Sequence, residues 1–153
     1  MRLWRLTRAP FVALDGAGPQ RHGARYSSPG RPVVNFASEA GLAVLVALRY
    51  LPEDRAERAT DYLLGWTDVE AEPLGVPDGD GEDAIRAWVD DWLETGRSLL
   101  ASIPSRVLPE GDIVMMNPRH PDAVAIAPLK TRAFDFDACL HRPPMLDTYR
   151  SLS

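Results

Sequence analysis

The sequence predicts an α+β domain in which antiparallel sheets are flanked by helices. Three observations lead there. Apolar residues recur at helical spacing from about Asp80 to Thr95, the chain turns to short β-like runs after Leu99, and no repeated strand–helix–strand unit is visible. At 153 residues the chain is long enough to bury a core, so we expect one domain over 1–153, with 141–153 as a C-terminal extension.

The first strand is expected in L-W-R-L, where apolar and polar residues alternate. The segment from Ala9 to Pro32 is rich in Gly, Pro and Arg and reads as a functional loop. A buried strand, V-V-N-F-A, follows. Ser38 then offers an N-cap and Glu39 a first-turn acid to a helix that runs to about Leu51, stopped by Pro52, with Leu42, Leu45 and Val46 on one face. Acidic residues dominate from Pro52 to Glu94, where a strand over Tyr62–Val69 and a G-V-P-D-G-D-G loop are expected.

In the helix from about Asp80 to Thr95, Ile85, Trp88, Val89, Trp92 and Leu93 form one stripe, with Gly96 as the stop. Its two tryptophans are expected in the core and its acidic face in solvent. S-L-L-A-S-I, I-V-M-M-N and R-A-F-D-F-D read as strands, with P-R-H-P-D as a turn or short helix start.

The net charge of −5 argues against a nucleic-acid binder, whose affinity rests on neutralising phosphates. No apolar run approaches the roughly 18–20 residues of a membrane span, and M-R-L-W-R-L-T-R lacks a signal peptide's apolar stretch. A cytoplasmic location is therefore expected. The one cysteine, Cys139, allows no intrachain disulfide and reads as a small apolar side chain. His22, His120 and His141 lie far apart without a paired ligand motif, so no metal is expected. Neither a P-loop, a dinucleotide fingerprint nor a G-x-S-x-G elbow is present.

Against this acidic background, Arg21, His22, Arg25 and Arg31 gather around Ser27, Ser28, Pro29 and Gly30, which read as a tight turn exposing backbone N–H groups. Guanidinium forks and exposed N–H groups suit a phosphate. A solvated basic surface remains the alternative.

G-A-R-Y-S-S-P-G-R-P-V-V, L-A-V-L within a helix, G-R-S-L-L-A-S-I-P-S-R-V-L-P-E, M-N-P-R-H-P-D and F-D-F-D, in that order from about Leu3 to Leu140, resemble the RES domain family. The resemblance implies an ADP-ribosyltransferase-like fold and a toxin of a bacterial toxin–antitoxin pair, one that consumes NAD by degrading it or by passing its ADP-ribose to a protein. It also implies a cognate antitoxin with an Xre-like helix-turn-helix region. Carried over by residue, the family's Arg is Arg25, its Ser is Ser105, and the Asn of its N-P-x-H-P element is Asn117.

Two positions depart from the pattern. Asn35 stands where the family has Tyr, and Val46 where it has the helix Glu. Glu39 is the candidate replacement acid, and Arg49 lies one turn after Val46 on the same face. Because Asn35 and Val46 have changed together, a rearranged site is favoured over a weakened one, and restoring Glu at 46 would then bring no gain.

The expected site comprises Arg25, Ser105 and Glu39 as catalytic residues, with Arg25, Tyr26, Ser27, Arg31, Asn35 and Asn117 as NAD-binding residues and no metal. Arg25 would orient the pyrophosphate or ribose side, Tyr26 would stack on a ring or serve as a core aromatic, and Ser105 would lie near the reacting ribose. Asn117 is equally readable as a brace. Two other classes stay open: a catalytically silent module that only pairs with an antitoxin, and an unrelated small enzyme.

Overall fold

A computed structural model of the chain describes residues 1–141 together with Met145, Thr148 and Arg150. The extension expected over 141–153 otherwise lies outside the described residues. Seven strands form one sheet: β1 (Arg2–Arg8), β2 (Val34–Ala37), β3 (Tyr62–Asp68), β4 (Leu74–Gly75), β5 (Leu100–Pro104), β6 (Asp112–Met116) and β7 (Lys130–Ala133). Their order across the sheet is β4-β5-β6-β2-β1-β3-β7. Every neighbouring pair is antiparallel except β4–β5, which is parallel. The α+β expectation stands, with one sheet in place of several.

The helices are α1 (Ala17–His22), α2 (Ala40–Leu48), α3 (Glu82–Thr95) and α4 (Phe136–Leu140). The apolar stripe of α3 buries Ile85, Val89, Trp92 and Leu93 in a cluster with Val33, Ala101, Ile103 and Met115. At about 1.5–3 kcal/mol for each large apolar side chain removed from water, this packing is what holds α3 to the sheet. Trp88 is half-buried, stacks on Trp92 at 6.5 Å between ring centroids, and carries the Arg97 guanidinium over its outer face. A second cluster joins Leu3, Val34, Phe36, Leu100, Val114 and Met116, and a third gathers Ala37, Leu42, Ala43 and Leu64 under α2.

Four local expectations need correction. Ser38 does not cap α2: its hydroxyl accepts from the Asp112 N–H at 2.9 Å, tying the end of β2 to β6, and Glu39 takes the N-cap position without a side-chain bond. The last expected strand, R-A-F-D-F-D, divides instead. Asp135 accepts from the Asp137 N–H at 2.9 Å and starts α4, which turns Phe136 inward against Tyr62 and Phe134. Cys139 is exposed on α4, so it fills no core space. The segment from Ala9 to Pro32 contains α1, set close to β2 by Gly16, where an added Cβ would lie 2.5 Å from the Val33 nitrogen. Among the described residues, no helix is long and apolar enough to cross a membrane.

Candidate active site

β1 pairs with β3 over all seven of its residues, but only one pair, Trp4 with Ala37, joins it to β2. The middle of the sheet is therefore unzipped over most of that seam. A cavity of about 480 Å³ opens there, walled by β1, β2, α2, the loop at Ala24–Ser27 and the turn after β5. Small-molecule sites commonly fall between about 300 and 1,000 Å³.

The consecutive residues Arg25, Tyr26 and Ser27, together with Asn35 from β2 and the far more distant Ser105, all line this cavity, as does Val46. Arg25 follows Gly23, which ends α1 at φ 75°, a conformation that glycine adopts without penalty. Its Nε lies 3.7 Å from Glu82 Oε1, and its guanidinium sits 5.4 Å from the centroid of the Tyr26 ring. Arg86 Nη2 donates to the Arg25 carbonyl at 2.7 Å, and Asp90 accepts from both the N–H and the hydroxyl of Ser28 at 2.9 and 2.7 Å. Helix α3 thus fastens the loop through Glu82, Arg86 and Asp90, a polar row spaced four residues apart beside its apolar stripe.

The turn does not offer its backbone to an anion as expected. The N–H groups of Ser27, Ser28 and Gly30 are taken by the Ala24 carbonyl, Asp90 and the Gln20 carbonyl, and Pro29 has none. What remains is the Ser27 hydroxyl, 3 % exposed and without a hydrogen-bond partner.

Ser105 is buried, and its oxygen accepts from the N–H groups of Val107 and Leu108 at 3.2 and 3.4 Å. Those bonds shape the turn after β5 while the hydroxyl proton stays available to donate. Arg106 and Arg49 bring two more guanidiniums to the wall, and Arg5 a third from β1. Tyr26 and then Asp78, 3.6 Å away, raise the Arg106 pKa, whereas burial lowers that of Arg5 against the pull of Asp15. The wall therefore holds four arginines, and among the described residues no Asp or Glu lines it.

The remaining expected site residues lie elsewhere. Glu39 is exposed at the start of α2 and does not line the cavity. Arg31 and Asn117 border a second hollow of about 380 Å³ beside the end of α3. Arg31 Nε is 3.1 Å from Glu94 Oε1, an ion pair without the alignment of a hydrogen bond. Asn117 is buried and held at both ends of its amide: its Nδ2 donates to the Leu93 carbonyl at 3.2 Å and its Oδ1 accepts from the Arg119 N–H at 3.0 Å. Arg21 and His22 are exposed on α1. Among the described residues, no group of three or more His, Cys, Asp or Glu is placed to hold a metal.

Arg5 and Arg106 were not recognised as wall residues from the sequence. The one signal for Arg5 was a basic residue amid the alternation of a central strand, and nothing in the spacing tells which strand borders the cavity.

The RES domain model matches residues 2–137. The chain is 30% identical over 134 residues to a protein named Toxin Res from Photorhabdus laumondii, covering 80% of this chain and 85% of that one. It is 32% identical over 139 residues to the Prs ADP-ribosylating toxin of a Sphingobium species, covering 81% and 84%. Its fold matches a chain of the M. tuberculosis MbcT–MbcA toxin–antitoxin complex at a TM-score of 0.66 and 17% identity, over 87% of this chain and 83% of that chain.

Proposed function

The chain belongs to the RES domain family, and from that footing we propose that it is the toxin of a toxin–antitoxin pair and consumes NAD. The observation that carries this reading is the meeting of Arg25, Tyr26, Ser27, Asn35 and Ser105 in one cationic cavity of small-molecule size. The names of the two relatives, a toxin and an ADP-ribosylating toxin, support it.

The chemistry asked of the site is cleavage of the bond between nicotinamide and ribose, which develops positive charge on the sugar while the pyrophosphate stays anionic. Guanidiniums in a partly desolvated wall hold the anionic part far more strongly than they would in water. Arg25, restrained by Glu82 and Tyr26, orients the ribose side, and such fixed orientation lowers the entropic part of the barrier. The Ser105 hydroxyl donates toward the ribose, and Asn35, exposed on β2, offers a hydrogen bond without an aromatic face. Nicotinamide leaves, and the ribose carbon that held it bonds either to a protein side chain or, in the breakdown of free NAD, to water or phosphate. The partner is an antitoxin with an Xre-like helix-turn-helix region, and the pair acts in the cytoplasm.

A second reading has one observation in its favour. Because no carboxylate among the described residues lines the cavity, the chain would be a catalytically silent module that only pairs with the antitoxin. Expression of the chain alone separates the two. Slowed growth with a fall in NAD or ADP-ribose labelling of a protein, relieved by the antitoxin, supports the enzyme; folded protein that changes none of these supports the silent module.

A further inference from the structure

A second group of cations lies outside the cavity, at one end of the sheet. Val34 pairs with Met116, so the residues that lead into β2, Arg31 and Pro32, come level with those that leave β6, Asn117 to Pro121. The Asn117 amide ties the end of α3 to them. Between these pieces is the hollow of about 380 Å³ where the M-N-P-R-H-P-D motif meets Arg31 and Glu94. No step of the NAD chemistry uses it.

Its side chains differ in what they still offer. Asn117 is held by the fold, and the Thr95 hydroxyl donates back to the Asp91 carbonyl at 2.9 Å. His120 Nδ1 accepts from the Asp122 N–H at 3.1 Å, which puts the ring proton on Nε2, a donor without a partner among the described residues. Arg119 is exposed and makes no ion pair or side-chain hydrogen bond among the described residues. Arg31 Nε is buried and unsatisfied although Glu94 Oε1 stands 3.1 Å away, since that carboxylate is out of line with the N–H. Buried donors in folded proteins are nearly always satisfied. What the hollow lacks is therefore an aligned acceptor. Charge decides its kind: of the lining residues, two guanidiniums face one carboxylate, and while Nδ1 accepts from Asp122 the His120 ring is neutral. One positive charge is left over. A carboxylate, with one charge and two coplanar oxygens, fits a guanidinium fork and that balance, whereas a phosphate dianion would set a surplus charge against Glu94.

We propose that this hollow is a second ligand site, for a carboxylate held by Arg31, Arg119 and the His120 Nε2–H, with Glu94 as the intramolecular acid that the ligand displaces. The Glu94 side chain is 60% exposed, so it swings into water at little cost. The carboxylate belongs to a free small acid or to the end of a peptide chain, and the recognition is the same for both. The site stands on its own geometry, whether or not the cavity cleaves NAD.

Nuclear magnetic resonance of the full chain tests this through the Arg31 Nε–H signal, assigned by its disappearance in Arg31→Lys. The probes are acetate, inorganic phosphate, and an N-acetylated alanine tripeptide with either a free or an amidated C-terminus. Acetate and the free peptide are expected to shift the signal to saturation, and the amidated peptide to leave it in place. Glu94 and Arg119 are exposed, so variants there keep the fold. Glu94→Gln should tighten acetate about 3- to 10-fold by removing the competing acid, and Arg119→Gln should weaken it by a similar factor, the range of a partly exposed charge-assisted hydrogen bond. Saturation by the free peptide at lower concentration than acetate supports the site and assigns the source to a chain end, and equal saturation supports it with a free acid as the source. Phosphate that saturates the signal at lower concentration than acetate overturns the carboxylate assignment. A signal that neither acetate nor the free peptide moves, or a shift indifferent to both Glu94→Gln and Arg119→Gln, overturns the site.

Discussion

Val46 and Arg49 stand one helical turn apart on the α2 wall of the same cavity, a half-buried apolar side chain followed by a cation. Val46 packs against the cluster of Leu42 and also lines the cavity, so a Glu introduced at 46 would reach the cavity wall, with Arg49 at i+3 as a neighbour. This changes the expectation drawn from sequence, in which a rearranged site made that Glu useless. The cavity offers no rearranged carboxylate among its described lining residues, and Glu39 stands outside it. Val46→Glu is expected to raise NAD turnover by about one to two orders of magnitude, since a preorganised charge meets the developing cation. Glu39→Gln should leave turnover unchanged. Nicotinamide release by both variants checks the account, and a loss in Glu39→Gln with the fold intact would reinstate Glu39 as the acid.

Arg25→Ala should lose about 1.5–3 kcal/mol of ligand interaction, the worth of a hydrogen bond to a charged group. Its ion pair with Glu82 is long and partly exposed, so thermal stability should stay near wild type. Titration with ADP-ribose and a melting curve measure the two effects. A variant that keeps full affinity and toxicity, or simply unfolds, removes Arg25 from the site.

Asn117→Ala should behave in the opposite way. Its amide joins the end of α3 to the turn after β6, and its loss strands the buried Leu93 carbonyl. A destabilisation of about 1–3 kcal/mol in chemical unfolding is expected, with ADP-ribose affinity of the folded fraction unchanged. A large loss of affinity in a stable variant would return Asn117 to the ligand.

The ends of the β1–β3 ladder carry a pH-dependent element. Hydrogen bonds from Arg2 to Asp68 and from Arg8 to Asp61 lower the pKa of both carboxyls. A depressed folded-state pKa contributes stability above the unfolded value, about 3.9, and that contribution disappears as pH falls through the folded pKa. Asp61→Asn with Asp68→Asn should therefore narrow the stability gap between pH 6 and acid pH, and salt should shrink the effect. Melting temperatures across pH, with an unchanged gap in the double variant, would refute it.

Much of the fold could be read from local pattern. The α3 stripe gave both the helix and the buried Trp92, and alternation gave β1, because those signals lie within a few residues of each other. Failures came where distant partners decide. Ser38 is a sound N-cap residue claimed by Asp112, and the N–H groups of the basic turn are claimed by Asp90 and Gln20. The grouping of Arg25, Asn35 and Ser105 rested on resemblance to a family; that Arg5 joins them depends on a seam between β1 and β2 that no local spacing encodes. Arg31 looked like part of one basic loop, yet Glu94 at the far end of α3 draws it to another hollow.

The central claim, that this cavity cleaves NAD, is tested most directly by incubating the purified chain with NAD and measuring released nicotinamide. The account predicts slow but measurable release by wild type, loss in Arg25→Ala, and a clear gain in Val46→Glu. No release from folded wild type, together with none from folded Val46→Glu, would contradict it.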